Sequence, residues 1–151
     1  PLAQMATNIA ATLSHAAPDN QHQFQKNLAL FLERLTRLET DVRLTFEPFE
    51  GRSFLVFHPS FGYFADSFNL VQEAVEIEGK SPSPRQLAAI IKMARKKDIR
   101  VIFVQPQFDK RAAKSIAEAI GGQVLTMDPL AANLFENLRE MAEKIATALG
   151  K

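Results

Sequence analysis

Polar side chains with an acceptor atom follow four short apolar runs in the second half of the chain. His58 follows the first run, Glu78 the second, Gln105 the third and Asp128 the fourth. Imidazole nitrogen and carboxylate oxygen are ligands for zinc and also for manganese. If the four runs are parallel strands, these side chains start from one edge of a sheet, where open α/β sheets bind their ligands.

Each of these residues also has a plainer interpretation. A histidine after a strand is commonly a loop residue that hydrogen-bonds to backbone. Asp128 precedes a proline, which is typical of a turn or a helix cap. Glu78 is compatible with a solvated loop, and Gln105 with a hydrogen bond to nearby backbone. Both interpretations remain open at the level of the residues alone.

A histidine with carboxylates could also perform acid–base catalysis, so an enzyme that uses His58 with Asp128 is a further alternative. Little else in the sequence supports it. No serine lies in a G-x-S-x-G context, and neither a P-loop nor a G-x-G-x-x-G pattern is present. The chain has no cysteine, which excludes disulfides, thiolate zinc sites and cysteine nucleophiles. We therefore predict that the protein is not an enzyme.

The composition is that of an ordinary globular protein, with 46% hydrophobic and 23% charged residues. The net charge of +1 creates no strong field, so we predict no nucleic-acid partner. No segment approaches the roughly 20 apolar residues that a membrane-spanning helix needs, so we predict no direct membrane span.

Strands and helices alternate in the second half. Strands are predicted at 54–57, 71–77, 100–104 and 123–126. The first and third of these runs are almost continuously apolar, as in strands buried on both faces of a parallel sheet, whereas the second is mixed and fits an edge strand. This alternation predicts an α/β fold with a small parallel four-stranded sheet flanked by helices.

Local signals mark the ends of the intervening helices. Ser83 and Gln86 have the spacing of a capping box, with a proline between them at the first helical position. Asp109 is placed to cap the next helix, which Gly121 then ends. These signals mark the ends of the helices that connect the predicted strands.

A long helix is predicted before the sheet. Its apolar residues recur at steps of four and three: Phe24, Leu28, Phe31, Leu35, Leu38 and Val42. If it runs over 19–45, it is roughly 40 Å long. Its apolar stripe must be covered. An alternative function is therefore a stand-alone α/β interaction module that forms a homodimer, or swaps domains, through this helix.

Four segments of the chain carry a family resemblance. Residues 56–65 (VFHPSFGYFA) contain the pattern V-F-H-x-x-F-G-Y-F, and the order and spacing of three further segments fit the same family: 78–84, 104–108 and 127–130. The chain resembles the zinc- and manganese-binding solute receptors of ABC importers, which are the ZnuA-like proteins of the TroA-like superfamily. The run at 27–32 resembles the long helix that joins the two lobes of these receptors.

The resemblance implies a periplasmic metal receptor that delivers its ion to an ABC transporter permease. The C-terminal lobe of the family supplies two ligands, which match His58 and Asp128 here. A histidine at the first position resembles the zinc branch, and nitrogen ligation favours zinc over manganese. By the same resemblance Glu78 lies in a loop near the cleft, and Gln105 stands where glutamate is common.

The resemblance also implies a division of the chain. Residues 1–17 are expected to be a remnant helix of an N-terminal lobe, 18–48 the long interdomain helix, and 49–151 the C-terminal α/β metal-binding lobe. The family's N-terminal lobe supplies two further histidine ligands and is expected upstream of Pro1. The metal site of this chain is therefore expected to be incomplete, with the missing N-terminal lobe as its partner.

Overall fold

The computed structural model describes residues 2–77 and 79–150. The chain forms two compact units, one that ends at Val42 and one that begins at Arg43. Within the described ranges, no helix is both long enough and apolar enough to cross a membrane.

Two helices make up the first unit. Helix α1 spans Leu2–Ala16, and a 3₁₀ turn follows at Pro18–Asn20 because proline cannot continue α-helical hydrogen bonding. Helix α2 spans Gln21–Phe46, and its 26 residues are about 39 Å long. The predicted long helix is therefore confirmed.

An apolar groove of about 390 Å³ runs between α1 and α2. Its large apolar side chains are Leu2, Met5, Ile9 and Leu13 of α1 and Phe24, Leu28 and Phe31 of α2. The predicted stripe on α2 is buried only at its C-terminal end, at Leu35, Leu38 and Val42. The exposed apolar surface of this unit is therefore concentrated around the groove.

Four parallel strands form the sheet of the second unit. They are β1 (Ser53–Val56), β2 (Val71–Ala74), β3 (Val101–Val104) and β4 (Gln123–Thr126). Their order is β2-β1-β3-β4, and every neighbouring pair is parallel. The predicted four-stranded parallel sheet is confirmed, and the mixed run that predicted an edge strand lies at an edge as β2.

Burial separates the central strands from the edge strands. Every side chain of β1 and β3 is buried, which matches their apolar sequences. The edge strands β2 and β4 keep half-buried and exposed positions. Strand β2 ends earlier than predicted, and Ile77 instead forms an isolated antiparallel bridge with Lys80.

Four helices flank the sheet: α3 (Gly62–Ser67), α4 (Pro84–Lys96), α5 (Arg111–Ile120) and α6 (Leu134–Leu149). Helix α4 begins with the predicted capping box, because the Ser83 hydroxyl accepts from the Gln86 backbone while the Gln86 side chain accepts from the Ser83 backbone. Gly121 ends α5 in the left-handed conformation, at φ 67°.

The predicted cap of α5 is displaced by one residue. Lys110 occupies the N-cap position, without a side-chain cap. The Asp109 carboxylate nevertheless accepts a hydrogen bond of 2.9 Å from the backbone of Arg111, in the first turn. Asp109 therefore satisfies a backbone donor of the helix from just outside it.

One apolar cluster joins the central strands to α4 and α5. Leu55, Ile102 and Val104 belong to it, together with Ile90 of α4 and Ile116 of α5. All five side chains are buried. The cluster holds the carboxyl ends of β1 and β3, from which the candidate site starts.

Candidate metal centre

The predicted site residues start from one edge of the sheet, because all four strands are parallel. His58 lies two residues beyond the end of β1, Gln105 directly follows β3, and Asp128 lies two residues beyond the end of β4. Backbone hydrogen bonds between neighbouring strands continue just past the strand ends. The fourth predicted residue, Glu78, lies outside the described residues.

The imidazole of His58 is held from two directions. Its Nδ1 lies 2.5 Å from Oε2 of Glu76. Its ring stacks on the ring of Phe108, with centroids 4.9 Å apart and an angle of 22° between the planes. The His58 side chain is 35% exposed, whereas the Glu76 side chain is 11% exposed. The histidine is thus accessible to an ion while its carboxylate partner is largely covered.

Gln105 supports the backbone of this histidine. Its side chain is buried, and its Nε2 donates to the carbonyl oxygen of His58 at 3.2 Å and to Oγ of Ser60 at 3.0 Å. The predicted backbone hydrogen bond is confirmed. Within the described part of the chain, Oε1 of the same amide is buried without a hydrogen-bond partner. Gln105 therefore acts on the shape of the site and adds no charge to it.

Asp128 forms the turn that its sequence context predicted. Its Oδ1 accepts from the backbone of Leu130 at 3.0 Å and from Nε2 of Gln107 at 3.4 Å. Its backbone carbonyl accepts from Nδ2 of Asn137 at 2.9 Å. A carboxylate has about four lone-pair directions, so these bonds leave capacity for an ion.

The loop at 105–108 contacts both predicted ligands. Phe108 stacks on the His58 ring, and Gln107 donates to the Asp128 carboxylate. The loop is closed by a hydrogen bond of 3.1 Å from the Phe108 backbone to the Gln105 carbonyl. Because β3 separates β1 from β4, the strands that carry His58 and Asp128 are about 10 Å apart. The loop follows the strand between them and contacts both side chains.

A family model described as ZnuA, zinc-uptake complex component A periplasmic, matches residues 2–148 of the chain. The chain belongs to the ZnuA family. The side-chain types of His58 and Asp128 agree with that membership, since zinc takes imidazole nitrogen and carboxylate oxygen as ligands.

Relatives of this ZnuA-family chain are longer than it is. It is 29% identical over 125 residues to the zinc-binding protein AdcA of Streptococcus pyogenes, and this match covers 82% of this chain and 24% of AdcA. It is 24% identical over 156 residues to the high-affinity zinc uptake system protein ZnuA of Brucella suis, with 97% of this chain and 47% of that protein covered. A crystal structure of ZnuA matches with a TM-score of 0.95 at 40% identity, over 98% of this chain and 58% of that one.

The ZnuA-family chain brings few ligands together by itself. In the ranges 2–77 and 79–150, no group of three or more His, Cys, Asp or Glu residues is placed to hold a metal ion. His15 and His22 are exposed, at the end of α1 and the beginning of α2. His58 and Asp128 are therefore a candidate pair rather than a closed site.

Another carboxylate lies next to the loop but is already paired. The hydrogen bonds that Asp109 accepts from the Arg111 side chain and backbone hold the pKa of that carboxyl below its ordinary value of 3.8. The two side chains also form an ion pair with a 2.6 Å contact. Asp109 is thus bound to its own helix start and is not directed to the candidate site.

Two residues of the site were missed by sequence reasoning, Glu76 and Phe108. Glu76 was hidden inside the predicted strand at 71–77, although the observed strand ends two residues before it. Phe108 lies in the segment whose order and spacing fit the family, but nothing in its local pattern indicates what it contacts. Both become visible only when neighbouring strand ends are paired.

Proposed function

We propose that this chain is the metal-binding part of a zinc receptor, with His58 and Asp128 as zinc ligands. The observation that carries the proposal is the loop at 105–108, which stacks Phe108 on the His58 ring and joins Gln107 to the Asp128 carboxylate. Such a loop limits the motion of both side chains before an ion binds. An imidazole nitrogen and a carboxylate oxygen match the donors that zinc prefers in proteins.

Two ligands hold zinc only weakly, because closed zinc sites usually have four. We infer that tight binding needs the family's N-terminal lobe, whose two histidines would complete the site around the transported ion. Manganese is the second candidate ion. It prefers oxygen ligands more strongly than zinc does, so an imidazole in the pair favours zinc.

The same proposal divides the chain into three parts. Residues 1–17 would belong to the N-terminal lobe, 18–48 would form the interdomain helix, and 49–151 would form the metal-binding lobe. The 3₁₀ turn at Pro18–Asn20 supports the first boundary, since it separates α1 from α2. The second 3₁₀ turn, at Glu47–Phe49, supports the other.

Membership in a family of periplasmic zinc-uptake components supports a periplasmic location for the receptor. There it would deliver zinc to the permease of an ABC importer. Delivery requires reversible binding, and an ion held between separate lobes can be released when the lobes part. No catalytic residue is needed for this role, and we propose no enzymatic activity.

Calorimetric titration with zinc near neutral pH tests the assignment. The 151-residue chain is expected to bind one zinc ion weakly, and His58→Ala and Asp128→Asn are each expected to abolish that signal. His22→Ala is the matched control, since it removes an exposed imidazole far from the carboxyl edge in sequence, and it should leave the binding unchanged. Equal binding by His58→Ala and the unaltered chain would show that the assigned site is wrong.

The homodimer is the second candidate, because the groove between α1 and α2 exposes Met5, Ile9 and Leu13. A second copy could cover these side chains. The burial of Leu38 and Val42 weakens this candidate, since half of the predicted stripe is already covered. Sedimentation of the chain over a wide concentration range distinguishes the two. A mass that does not change with concentration would remove the dimer.

A further inference from the structure

Glu76 is a largely covered carboxylate whose role the zinc proposal does not explain. Its side chain is 11% exposed, and its Oε2 lies against Nδ1 of the His58 imidazole. Glu73, three residues earlier in the chain, differs because its carboxylate pairs with Lys97 at 2.5 Å. Glu73 thus has a lysine to neutralise it, whereas Glu76 is directed to a candidate metal ligand.

The sheet register brings Glu76 to this position. Each residue of β1 pairs with the residue 18 positions later in β2, from Ser53 with Val71 onward. The ladder continues past the strands, since the Glu76 backbone donates to the Phe57 carbonyl at 3.0 Å. Continued by two residues, the same offset places Glu76 beside His58. Both side chains therefore start from neighbouring backbone positions, two residues beyond the ends of β1 and β2.

The contact selects one nitrogen of the imidazole. An ionised carboxylate can only accept hydrogen bonds, so Nδ1 of His58 must carry the hydrogen that Glu76 accepts. Neutral imidazole then has its lone pair on Nε2, at the opposite edge of the ring. Phe108 stacks on one face of the ring and limits its rotation.

We propose that Glu76 is a positioning residue that fixes His58 as the Nδ1–H tautomer and so makes Nε2 the zinc-binding atom. The inference rests on the proposed function, because it assumes that His58 is a ligand. A carboxylate that accepts from the distal nitrogen of a histidine ligand orients the ring and raises its basicity toward the metal. Glu76 contributes through His58 and does not itself contact zinc.

The tautomer is measured without zinc, by the ¹⁵N chemical shifts of the His58 ring in the labelled 151-residue chain at about pH 8.5, where imidazole is ordinarily neutral. The unaltered chain is expected to show the Nδ1–H form. Glu76→Ala should give a mixture of both tautomers, whereas Glu73→Ala, the matched control from β2, should not. An Nε2–H tautomer in the unaltered chain, or no change in Glu76→Ala, would overturn the inference.

Calorimetric zinc titration of the same samples, and of His58→Ala, tests the consequence for binding. Glu76→Ala is expected to weaken zinc binding about 10- to 100-fold. Glu76→Gln retains a hydrogen-bond acceptor but not the negative charge, so it should weaken zinc binding less than Glu76→Ala does. If His58→Ala binds zinc as well as the unaltered chain, the proposed function fails. If His58→Ala loses zinc but Glu76→Ala does not, the proposed function stands and this inference fails.

Discussion

Apolar side chains differ in exposure between the two compact units of the chain. In the α/β unit, strands β1 and β3 are buried along their whole length. In the helical unit, Met5 and Ile9 are each 57% exposed. The α/β unit thus has a closed core, whereas the helical unit leaves an apolar groove open to solvent.

The closed core of the α/β unit explains why the backbone of the candidate site is well defined. His58 and Gln105 follow central strands that are packed on both faces, so their loops begin at fixed points. Buried polar contacts then continue the order beyond the strands, as in the hydrogen bond from Gln105 to the His58 carbonyl. The histidines of the helical unit, His15 and His22, are exposed, and its apolar groove is open to solvent. The candidate site is therefore a property of the α/β unit.

The largest effect is expected where backbone packs against backbone in the α/β unit. A Cβ at Gly122 would lie 2.1 Å from the carbonyl oxygen of Arg100. Gly122→Ala should therefore reduce the free energy of unfolding by about 4 kcal/mol or more, measured by denaturant titration. Gly62→Ala is the control, since its Cβ would come no closer than 3.8 Å to Gln72. Equal stability of the two variants would contradict the close packing.

A matched pair of isoleucines tests the comparison directly. Ile102 is fully buried in β3, and Ile9 is 57% exposed in α1. Ile102→Ala should cost about 2–5 kcal/mol of unfolding free energy, because it leaves a cavity in a packed core. Ile9→Ala should change it by no more than about 0.5 kcal/mol. Similar losses in the two variants would mean that the groove around Ile9 is covered in solution.

The smallest effect is expected from surface charge. Because the pKa of Asp109 is lowered in the folded chain, its pairing with Arg111 stabilises the fold fully above the ordinary value of 3.8. This contribution is lost as the pH falls through the lowered pKa. Near neutral pH, Asp109→Asn should therefore have a lower unfolding midpoint than the unaltered chain. The two midpoints should become equal in acid.

Salt provides the control for this last prediction, because an exposed ion pair is screened. The Asp109→Asn difference in unfolding midpoint should shrink as salt is added and stay smaller than that of Ile102→Ala. A decrease in midpoint as large as that of Ile102→Ala would contradict the prediction. It would show that this surface ion pair contributes as much to the stability of the α/β unit as core packing does.

Local patterns were sufficient to predict much of the α/β unit. The continuous apolar runs predicted β1 and β3 because strands buried on both faces need no polar alternation. The capping box at Ser83 and Gln86 predicted the start of α4 because its hydrogen bonds span only three residues. The assignment of His58 and Asp128 as ligands remains a prediction, since it concerns an ion that two strand ends must share.

Local sequence was enough to predict the types of these elements and several of their ends, because propensity, capping and turn chemistry act over a few neighbouring residues. The strand order β2-β1-β3-β4 and the offset of 18 residues between paired positions of β1 and β2 follow from the three-dimensional fold. That register places Glu76 against His58, and the strand order places the loop with Phe108 beside them. Contacts of this kind depend on which distant segments pair, and no local periodicity encodes that choice.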